Sequence, residues 1–481
     1  MSASAVPARY VENIVGGVRT ESAADRRCEL VDPSTGVVFG SAPVSGPNDV
    51  DRAYRAAAEA FVSWRESTPA QRQHALLGLA GALEVYAGDL IEAECQNTGK
   101  PQSAMRGDEL PQIIDQLRFF AGACRVVEGR GAGEYLADHT SYVRREPVGV
   151  IGQVAPWNYP LMEAVWKVAP AIAAGNTVVL KPGDTTPVSA VMFAELAAEF
   201  LPPGVLNVVC GDRDTGRQVV AHPAAAMVAI TGSTRAGAEV AAAAAADLKR
   251  VHLELGGKAP VLVFADADLP DAARIIVDAA YYNAGQDCTA ASRVMVADEV
   301  ADDFAALLAQ TAEKVTVGAP HEDATYGPLN NAGRLEVVNA LMERLPAHAS
   351  VLTGGTPLDR PGYFWQPTVI SGLRQYDEMS QREIFAPIIT VQRFGDEAEA
   401  VRCANDVEFG LAASVWTADH DRALRVSRRL DFGTVWINAH TVTVAEMPHG
   451  GFKHSGYGKD LSIYGLEDYT RLKHVVHRTR R

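Results

Sequence analysis

An alternation of strand, loop and helix that begins near Gly149 constrains the fold of this chain more than any other feature. Short apolar and β-branched runs alternate there with loops and with longer segments of helical periodicity. This order is typical of a parallel sheet whose crossover helices cover its faces, so we expect an α/β fold. The predicted strands are 148–154, 176–180, 205–209 and 227–230, and the predicted helices are 161–174 and 188–200.

A second alternating unit runs from residue 259 to about residue 433. Ligands bind such sheets at the carboxyl ends of the strands. Ahead of both units, residues 31–40 are predicted as two short strands around an Asp-Pro-Ser-Thr-Gly turn, and residues 48–122 have the apolar spacing of several amphipathic helices. The other predicted strands are 261–264, 293–296, 388–394 and 413–416, with 140–146 and 469–477 outside the two units.

Composition argues against several classes of function. The 44 basic and 59 acidic side chains give a net charge of −15, which favours neither nucleic acid nor anionic membrane as a partner. We find no apolar run of the roughly 18 residues that a membrane span needs, and we expect no secretory signal. The six cysteines show no close pairing, so we predict no disulfide framework and no metal site, in a reducing cytoplasm.

One thiol stands out as a candidate nucleophile. Cys288 follows Gly-Gln-Asp and precedes Thr-Ala-Ala-Ser, so little bulk surrounds it and backbone amides can approach. Sulfur attacks as the thiolate, and amides at a helix start or nearby donors can lower the pKa of a thiol enough to supply it. The alternative interpretation is a buried structural cysteine.

Three further stretches carry side chains suited to the same chemistry. Glu254 lies in Leu-Glu-Leu-Gly-Gly-Lys, where a carboxylate among apolar and glycine residues suits a general base. Asn158 lies between two prolines in Pro-Trp-Asn-Tyr-Pro, a rigid loop that can hold an oxyanion donor. Glu383 and Phe385 precede a strand and suit a ribose and a flat ring. Singly, these residues could instead be a surface carboxylate, a capping Asn and a core Phe.

Taken together and in this order, the motifs resemble the aldehyde dehydrogenase superfamily over nearly the whole chain. The stretch from Glu446 to Tyr469, together with Gly-Gln-Asp-Cys, resembles the bacterial 4-aminobutyraldehyde dehydrogenases more narrowly. The resemblance implies two Rossmann-type parallel α/β domains and a small β oligomerisation unit. The implied boundaries are 1–121 with 146–254 for the NAD-binding domain, 255–459 for the thiol-bearing catalytic domain, and 122–145 with 460–481 for the oligomerisation unit.

The resemblance also implies the catalytic roles. Cys288 adds to the aldehyde carbon, and the Asn158 amide with the Cys288 backbone N–H holds the oxyanion. Hydride leaves for the nicotinamide, a thioester remains, and Glu254 activates the water that hydrolyses it. A carboxylate is the implied product. A non-catalytic binding or structural protein on the same fold is the alternative from another class.

The implied cofactor is NAD. The family usually has Lys-Pro-x-Glu where this chain has Asp184, whose charge still disfavours a 2′-phosphate. The nearby Arg235 keeps NADP possible. The implied contacts are Lys181 and Asp184 at the adenosine ribose, Gly232 and Ser233 at the pyrophosphate, and Glu383 and Phe385 at the nicotinamide riboside, with Trp157 as a further cofactor-binding residue.

The predicted substrate is an ω-aminoaldehyde such as 4-aminobutyraldehyde, because acidic and aromatic residues attract a cationic tail. Glu163 could instead point to solvent, and Trp166 could belong to the core. Betaine aldehyde and simple aliphatic or aromatic aldehydes stay open. An anionic semialdehyde is disfavoured by the absence of Arg at these positions, and coenzyme A acylation by the presence of Glu254. The positions concerned are Tyr159, Met162, Glu163, Trp166 and Asp287.

The two predicted strands outside the alternating units bear on assembly. Each of the segments 140–146 and 469–477 would present an unpaired edge in a monomer. Pairing of such edges between copies predicts a dimer or a dimer of dimers, that is, a homotetramer.

Overall fold

The computed structural model describes residues 9–479. The strands are β1 Arg9–Tyr10, β2 Asn13–Val15, β3 Val18–Thr20, β4 Arg27–Asp32, β5 Val37–Pro43, β6 Gly133–Leu136, β7 His139–Pro147, β8 Val150–Val154, β9 Thr177–Lys181, β10 Leu206–Val208, β11 Ala225–Thr231, β12 Arg250–Glu254, β13 Pro260–Val263, β14 Arg293–Ala297, β15 Ser350–Thr353, β16 Thr368–Ser371, β17 Ile388–Phe394, β18 Phe409–Gly410, β19 Ala412–Trp416, β20 Thr434–Ile437, β21 Phe452–Lys453, β22 Gly456–Tyr457 and β23 Thr470–Arg478. The α-helices are α1 Pro47–Trp64, α2 Pro69–Val85, α3 Ala87–Thr98, α4 Gln102–Ala104, α5 Leu110–Ala123, α6 Pro160–Ala173, α7 Val188–Ala197, α8 Arg213–Ala221, α9 Thr234–Ala245, α10 Leu269–Tyr281, α11 Ala301–Ala312, α12 Ala332–Glu343, α13 Glu378–Gln381, α14 Glu397–Asn405, α15 His420–Ser427 and α16 Ser462–Asp468.

The first large sheet has the strand order β22-β12-β11-β8-β9-β10-β2-β3. Its five central strands, β12 to β10 in that order, pair in parallel, as the alternation of strand and helix predicted. Strand β9 and helix α6 are buried along their whole length, because helices cover the sheet and leave these apolar strands no face in water. The strands at both margins pair antiparallel.

The second large sheet has the order β15-β16-β17-β14-β13-β19-β20. All of its pairs are parallel except that between β15 and β16. The four strands predicted in this unit are therefore confirmed. Each sheet has its own apolar core on the face covered by its main helices.

The small third sheet, β23-β7-β6, corrects one prediction about edges. Strands β23 and β7 are the two predicted outlying strands, and they pair antiparallel with each other over nine residues, from Thr470 opposite Pro147 to Arg478 opposite His139. They do not each present an unpaired edge, because they share one ladder. Only the outer edge of β23 and that of β6 are left without a partner strand in this sheet.

Two strands that the sequence patterns did not predict complete the first sheet beside the site. Strand β12 has the sequence Arg-Val-His-Leu-Glu, in which polar residues interrupt the apolar pattern, so the burial of its last three residues could not be predicted. Strand β22 lies inside the predicted 255–459 domain but pairs with β12 of the first sheet.

Within residues 9–479 no single helix is long and apolar enough to cross a bilayer. Helices α2 and α3 together have the length and composition of a span, but the chain bends by 75° between them.

Candidate active site

The carboxyl ends of three adjacent strands build one wall of the site. In the ladder, Ile230 of β11 lies opposite Val154 of β8, and Thr231 lies opposite Glu254 of β12. Glu254 is the last residue of its strand and is only 1% exposed. The loop after β8 carries Asn158, and the loop after β11 leads into α9. The parallel order therefore brings two of the three predicted catalytic residues to one sheet edge.

Cys288, the third predicted catalytic residue, follows a strained turn. After α10 the chain enters a short 3₁₀ segment in which Asn283, Ala284 and Gly285 have φ angles of 50°, 57° and 65°. Left-handed backbone is costly for non-glycine residues and needs support from its surroundings. The Asn283 side chain supplies it, donating to the Asn158 carbonyl at 2.8 Å and to the Gln286 carbonyl at 3.3 Å. This turn joins the nucleophile segment to the Asn158 loop.

Cys288, Glu254 and His449 form a compact cluster. The Cys288 Sγ, a Glu254 oxygen and a His449 nitrogen all lie within 4.8 Å of one another. His449 Nε2 is 3.4 Å from Glu254 Oε1. The His449 ring also packs edge-on against Trp166, with ring centroids 5.1 Å apart. The predicted base, the predicted nucleophile and an imidazole thus lie together, with Glu254 and His449 buried and Cys288 half-buried.

The electrostatics of the thiol differ from the sequence prediction. Burial raises the pKa of Cys288 well above its ordinary value, and the negative charges of Glu254, Asp287 and Glu163 raise it further. The prediction of a lowered pKa is wrong for the free protein, because no helix starts at this turn and the nearest charges are acidic. The half-buried thiol therefore rests protonated and needs a base to ionise. Glu254 is the base within reach.

Asn158 has the geometry of a fixed amide donor. It is 7% exposed, and its Nδ2 donates to the Gln286 carbonyl at 3.0 Å. A side-chain amide has two N–H groups, so one is left for another acceptor. Asn158 and Cys288 line the same cavity.

A cavity of about 220 Å³ lies on one side of Cys288. Five of the seven predicted cofactor residues line it, together with all three catalytic residues. Lys181 and Asp184 are not among its lining residues. Lys181 is the last residue of β9, and Asp184 is exposed in the segment that follows this strand. The five lining residues are Trp157, Gly232, Ser233, Glu383 and Phe385.

Glu383 and Phe385 are held firmly in that cavity. The Gly257 N–H donates to Glu383 Oε1 at 2.9 Å. Burial raises the pKa of Glu383 to about 7, although the Gly257 hydrogen bond and Arg334 act to lower it. Phe385 has a left-handed φ of 56° and packs edge-on against Trp157 at 5.4 Å. Its conformation is secured by Arg334, which donates to the Phe385 carbonyl at 3.1 Å.

Two glycines fill the gap between Glu383 and Cys288. A Cβ on Gly256 would come within 2.6 Å of the Glu383 carboxylate, and a Cβ on Gly257 within 2.1 Å of the Cys288 carbonyl oxygen. Both distances are shorter than real Cβ contacts; at Gly257 the opposing atom is backbone, so only glycine fits there, whereas a side chain at position 256 would displace the Glu383 carboxylate. Ser455 fixes this segment from the other side, since its carbonyl accepts from Leu255 N at 3.1 Å and its hydroxyl donates to the Gly256 carbonyl at 2.7 Å.

The pyrophosphate candidates lie at the start of α9. Ser233 caps this 12-residue helix, its hydroxyl accepting from Ala236 N at 3.3 Å, with Gly232 just before it. Helix starts favour anions through their free amides and dipole. Arg235, the candidate partner for a 2′-phosphate, is exposed and faces Glu239 at 3.5 Å.

A second cavity, of about 110 Å³, lies on the opposite side of Cys288. All five predicted substrate residues line it. Tyr159 donates its hydroxyl to Asp287 at 2.7 Å, and the other Asp287 oxygen accepts from the Thr289 amide and hydroxyl. Lys100 Nζ already lies 4.6 Å from the centre of the Tyr159 ring. The lining residues that sequence reasoning missed are Asp108, Glu109, Gln112, Tyr282, Thr289, Thr441, Thr443 and His449.

Glu163 does not point to solvent. The side chain is 5% exposed, lies 3.7 Å from Lys167 Nζ, and leaves Oε2 without a hydrogen-bond partner. Burial raises the pKa of Glu163 to about 8, with Lys167 acting against the shift and Glu254 and Asp460 adding to it. Lys167 also faces Asp460 at 3.3 Å.

Comparison with known proteins decides the family. The family model described as "Aldehyde dehydrogenase family" matches residues 19–475. The chain belongs to the aldehyde dehydrogenase family. An aldehyde dehydrogenase of Emericella nidulans is 40% identical over 94% of this chain and 91% of the relative, and a betaine aldehyde dehydrogenase of Sinorhizobium fredii is 38% identical over 96% of both. The NAD+ complex structure of aldehyde dehydrogenase from Bacillus cereus superposes with a TM-score of 0.96 at 34% identity, covering 98% of this chain and 97% of that one.

Sequence reasoning missed two residues of this aldehyde dehydrogenase site, His449 and Arg334, for different reasons. His449 lies in the Met-Pro-His-Gly-Gly motif, which contributed to the family resemblance but did not lead to a predicted role for the histidine. A histidine beside two glycines could have been considered as a site residue. Arg334 carries no motif and comes from α12, far from the other residues in sequence. Only the fold could reveal it.

Proposed function

We propose that the protein is an NAD-dependent aldehyde dehydrogenase that oxidises an ω-aminoaldehyde, such as 4-aminobutyraldehyde, to the amino acid. The observation that carries the proposal is the charge of the second cavity. Its lining includes four acidic side chains and, among residues 9–479, no lysine or arginine. A primary ammonium tail therefore has attraction without a competing cation in the lining. The acidic residues are Asp108, Glu109, Glu163 and Asp287.

In the proposed reaction, Glu254 takes the proton of Cys288, and the sulfur adds to the aldehyde carbon. The free N–H of Asn158 and the Cys288 amide stabilise the oxyanion, a contribution of roughly 3–4 kcal/mol for one such donor. NAD supplies the hydride acceptor when bound, which converts the adduct to a thioester on Cys288. Glu254, once free of its proton, activates water, and hydrolysis releases the carboxylate and restores the thiol.

The residues of the first cavity fit NAD. Glu383 is half-buried and accepts from the Gly257 N–H, so its carboxylate can also accept ribose hydroxyls. The start of α9 suits the pyrophosphate, and Lys181 with Asp184 suits the adenosine ribose. The acid at position 184 repels a 2′-phosphate, and Arg235 is already paired with Glu239. Initial rates with NAD and NADP test this choice, and faster turnover with NADP contradicts it.

The attraction of the second cavity for a cationic tail depends on which of its four acidic side chains lack other polar partners. Asp287 is engaged by Tyr159 and Thr289, and Glu109 is paired with Lys100 at 2.6 Å. Glu163 Oε2 has no hydrogen-bond partner among residues 9–479, although Lys167 Nζ faces it at 3.7 Å. Unit charges about 5 Å apart attract by about 3 kcal/mol at an effective dielectric constant of about 20. Because the pKa of Glu163 is about 8, a cationic tail must favour ionisation of this group.

Betaine aldehyde is the second candidate, because the Sinorhizobium fredii relative is named for it and the cavity has aromatic walls. Trp166 and His449 meet there edge-on, and a quaternary ammonium binds to aromatic faces. The choice between the two candidates depends on the tail, since a primary ammonium donates hydrogen bonds and a quaternary one cannot.

The test is a comparison of kcat/KM for 4-aminobutyraldehyde, betaine aldehyde, butyraldehyde and phenylacetaldehyde with NAD. We expect the two cationic aldehydes to exceed the neutral ones. At a pH above about 8, where Glu163 is ionised, Glu163→Gln should lower the ratio of amino to neutral aldehyde by about tenfold or more. Glu66→Gln, at an exposed surface position, is the control. Equal use of butyraldehyde and an unchanged ratio in Glu163→Gln would rule out the amino substrate.

We also propose that the β23-β7-β6 sheet joins copies of the chain into a homotetramer. Its outer strand β23 carries exposed apolar side chains, Leu472 at 65% and Val476 at 52%. Exposed strand edges with apolar groups are sites of pairing between chains. Light scattering tests this, and a sharp monomer peak contradicts it. The domain boundaries drawn from the sequence stay a prediction.

A further inference from the structure

Three metal-ligating atoms meet between the two cavities. The Cys288 Sγ, a Glu254 carboxylate oxygen and a His449 ring nitrogen lie mutually within 4.8 Å. Glu254 is 1% exposed, yet its Oε2 has no hydrogen-bond partner. We propose that these three side chains bind one zinc ion, which holds the enzyme in a reversible inactive state.

The spacing of the atoms fits tetrahedral coordination. Zinc lies about 2.3 Å from sulfur and about 2.0–2.2 Å from nitrogen or oxygen, so ligand atoms around it stand roughly 3.3–3.7 Å apart. His449 Nε2 and Glu254 Oε1 already have a separation of 3.4 Å. The Cys288 sulfur lies within 4.8 Å of the other two atoms, so it must approach them by up to about 1 Å, and a rotation of roughly 30° about its Cα–Cβ bond costs about 0.5–1.5 kcal/mol. Three protein ligands leave the fourth position to water.

The charges also fit. A thiolate, a carboxylate and a neutral imidazole balance a divalent cation, so the buried complex is neutral overall. Binding replaces the S–H bond of Cys288 by a zinc–sulfur bond and the Nε2–H bond of the His449 imidazolium, which faces Glu254 at 3.4 Å, by a zinc–nitrogen bond; both protons pass to the buffer, without any change of oxidation state. The carboxylate of Asp287 adds negative charge near the thiol, which favours the cation further.

The set of ligand types selects the metal. One sulfur, one nitrogen and one oxygen favour zinc over magnesium or calcium, which prefer oxygen alone. The imidazole is held in place for this role, because its ring packs against Trp166 and the His449 backbone pairs with that of Asp460. The cysteine spacing could not predict such a site, since the ligands come from residues far apart in the sequence.

Bound zinc would occupy the nucleophile and the base together. Cys288 and His449 line the aldehyde cavity, whereas the helix start at Ser233 and the Glu383 carboxylate stay free. Zinc should therefore compete with the aldehyde. It should also protect Cys288 from alkylation.

The experiment uses the full-length protein after treatment with a chelator, without aldehyde or NAD. Zinc alone is titrated in competition with a chromophoric chelator, and iodoacetamide labelling of Cys288 is followed in parallel. We expect one tight zinc per chain and slowed labelling. His449→Phe, which keeps an aromatic ring beside Trp166, should weaken zinc binding by more than about 100-fold, because loss of a ligand exceeds the 10–100-fold typical of outer-shell losses.

The control is His454→Gln, which removes an exposed histidine 3.6 Å from Glu408 and should leave the tight site intact. His449→Asn is a second variant of different shape, and the melting temperature and NAD binding of each variant verify its fold. If folded His449→Phe and His449→Asn bind zinc as tightly as the parent, or if zinc leaves the labelling rate unchanged, the proposal is wrong. These readouts do not depend on the aldehyde, so they stand apart from a failure of the proposed function.

Discussion

Gly257→Ala should disable the enzyme through one steric contact. The new Cβ would lie 2.1 Å from the Cys288 carbonyl oxygen, against the 3.0 Å minimum of real Cβ contacts. The partner atom is backbone, so no side chain can rotate away. The turn that carries the nucleophile must retreat by roughly 1 Å, and a misplacement of that size costs about 100-fold in rate. Since Gly257 has no left-handed φ, the loss comes from space and not from backbone strain.

The assay is kcat for NAD reduction at saturating aldehyde, per active site titrated with a thiol reagent. Overpacking of this kind also costs about 1–3 kcal/mol of stability, so the melting temperature is measured alongside. Gly122→Ala is the matched control, because a Cβ there meets nothing within 4 Å. It should leave kcat unchanged. A folded Gly257→Ala enzyme with kcat close to that of the parent would refute the tight contact between this glycine and the nucleophile turn.

Other perturbations give separate expectations. Asn158→Ala should lower kcat by about 100- to 1000-fold with little change in KM, measured in the same assay. The affinity for NAD, measured by calorimetry, should fall by up to about tenfold as the pH drops from 8 to 6. The reason is that Glu383 has a pKa of about 7 and loses its negative charge on protonation. Glu383→Gln should abolish this pH dependence. Lys100→Met leaves the buried Glu94 and Glu109 without their cation, at 3.9 and 2.6 Å, and should cost about 3–5 kcal/mol in urea unfolding. An unchanged midpoint would contradict that account of the buried ion pair.

Sequence patterns located the strands whose apolar runs are continuous, such as β9 and β13, because buried parallel strands have no polar face. They did not locate β12, whose arginine and histidine break the run, nor the two-residue β22. A pairing of two residues with a strand some 200 positions earlier has no local signature. The order of strands at the site was therefore beyond sequence reasoning.

The site divides in a similar way. Cys288, Glu254 and Asn158 were found because each stands in a short motif with small or rigid neighbours. The direction of the pKa shift at Cys288 was predicted wrongly, since burial of the thiol raises its pKa most and the next cause is the charge of Glu254, which is remote in sequence, ahead of the charge of the neighbouring Asp287. Chain neighbours can be read from a sequence, but the electrostatic field at a thiol depends on neighbours in space.

The attachment of β22 beside the general base has a consequence for biosynthesis. Glu254 and its strand emerge from the ribosome long before Ser455 and Gly456, which close the exposed edge of that strand. A nascent chain can assemble most of its first sheet while the margin next to Glu254 stays open. The edge of β12 beside Glu254 is thus closed by a segment about 200 positions later in the chain, so the geometry around this carboxylate depends on a long-range pairing.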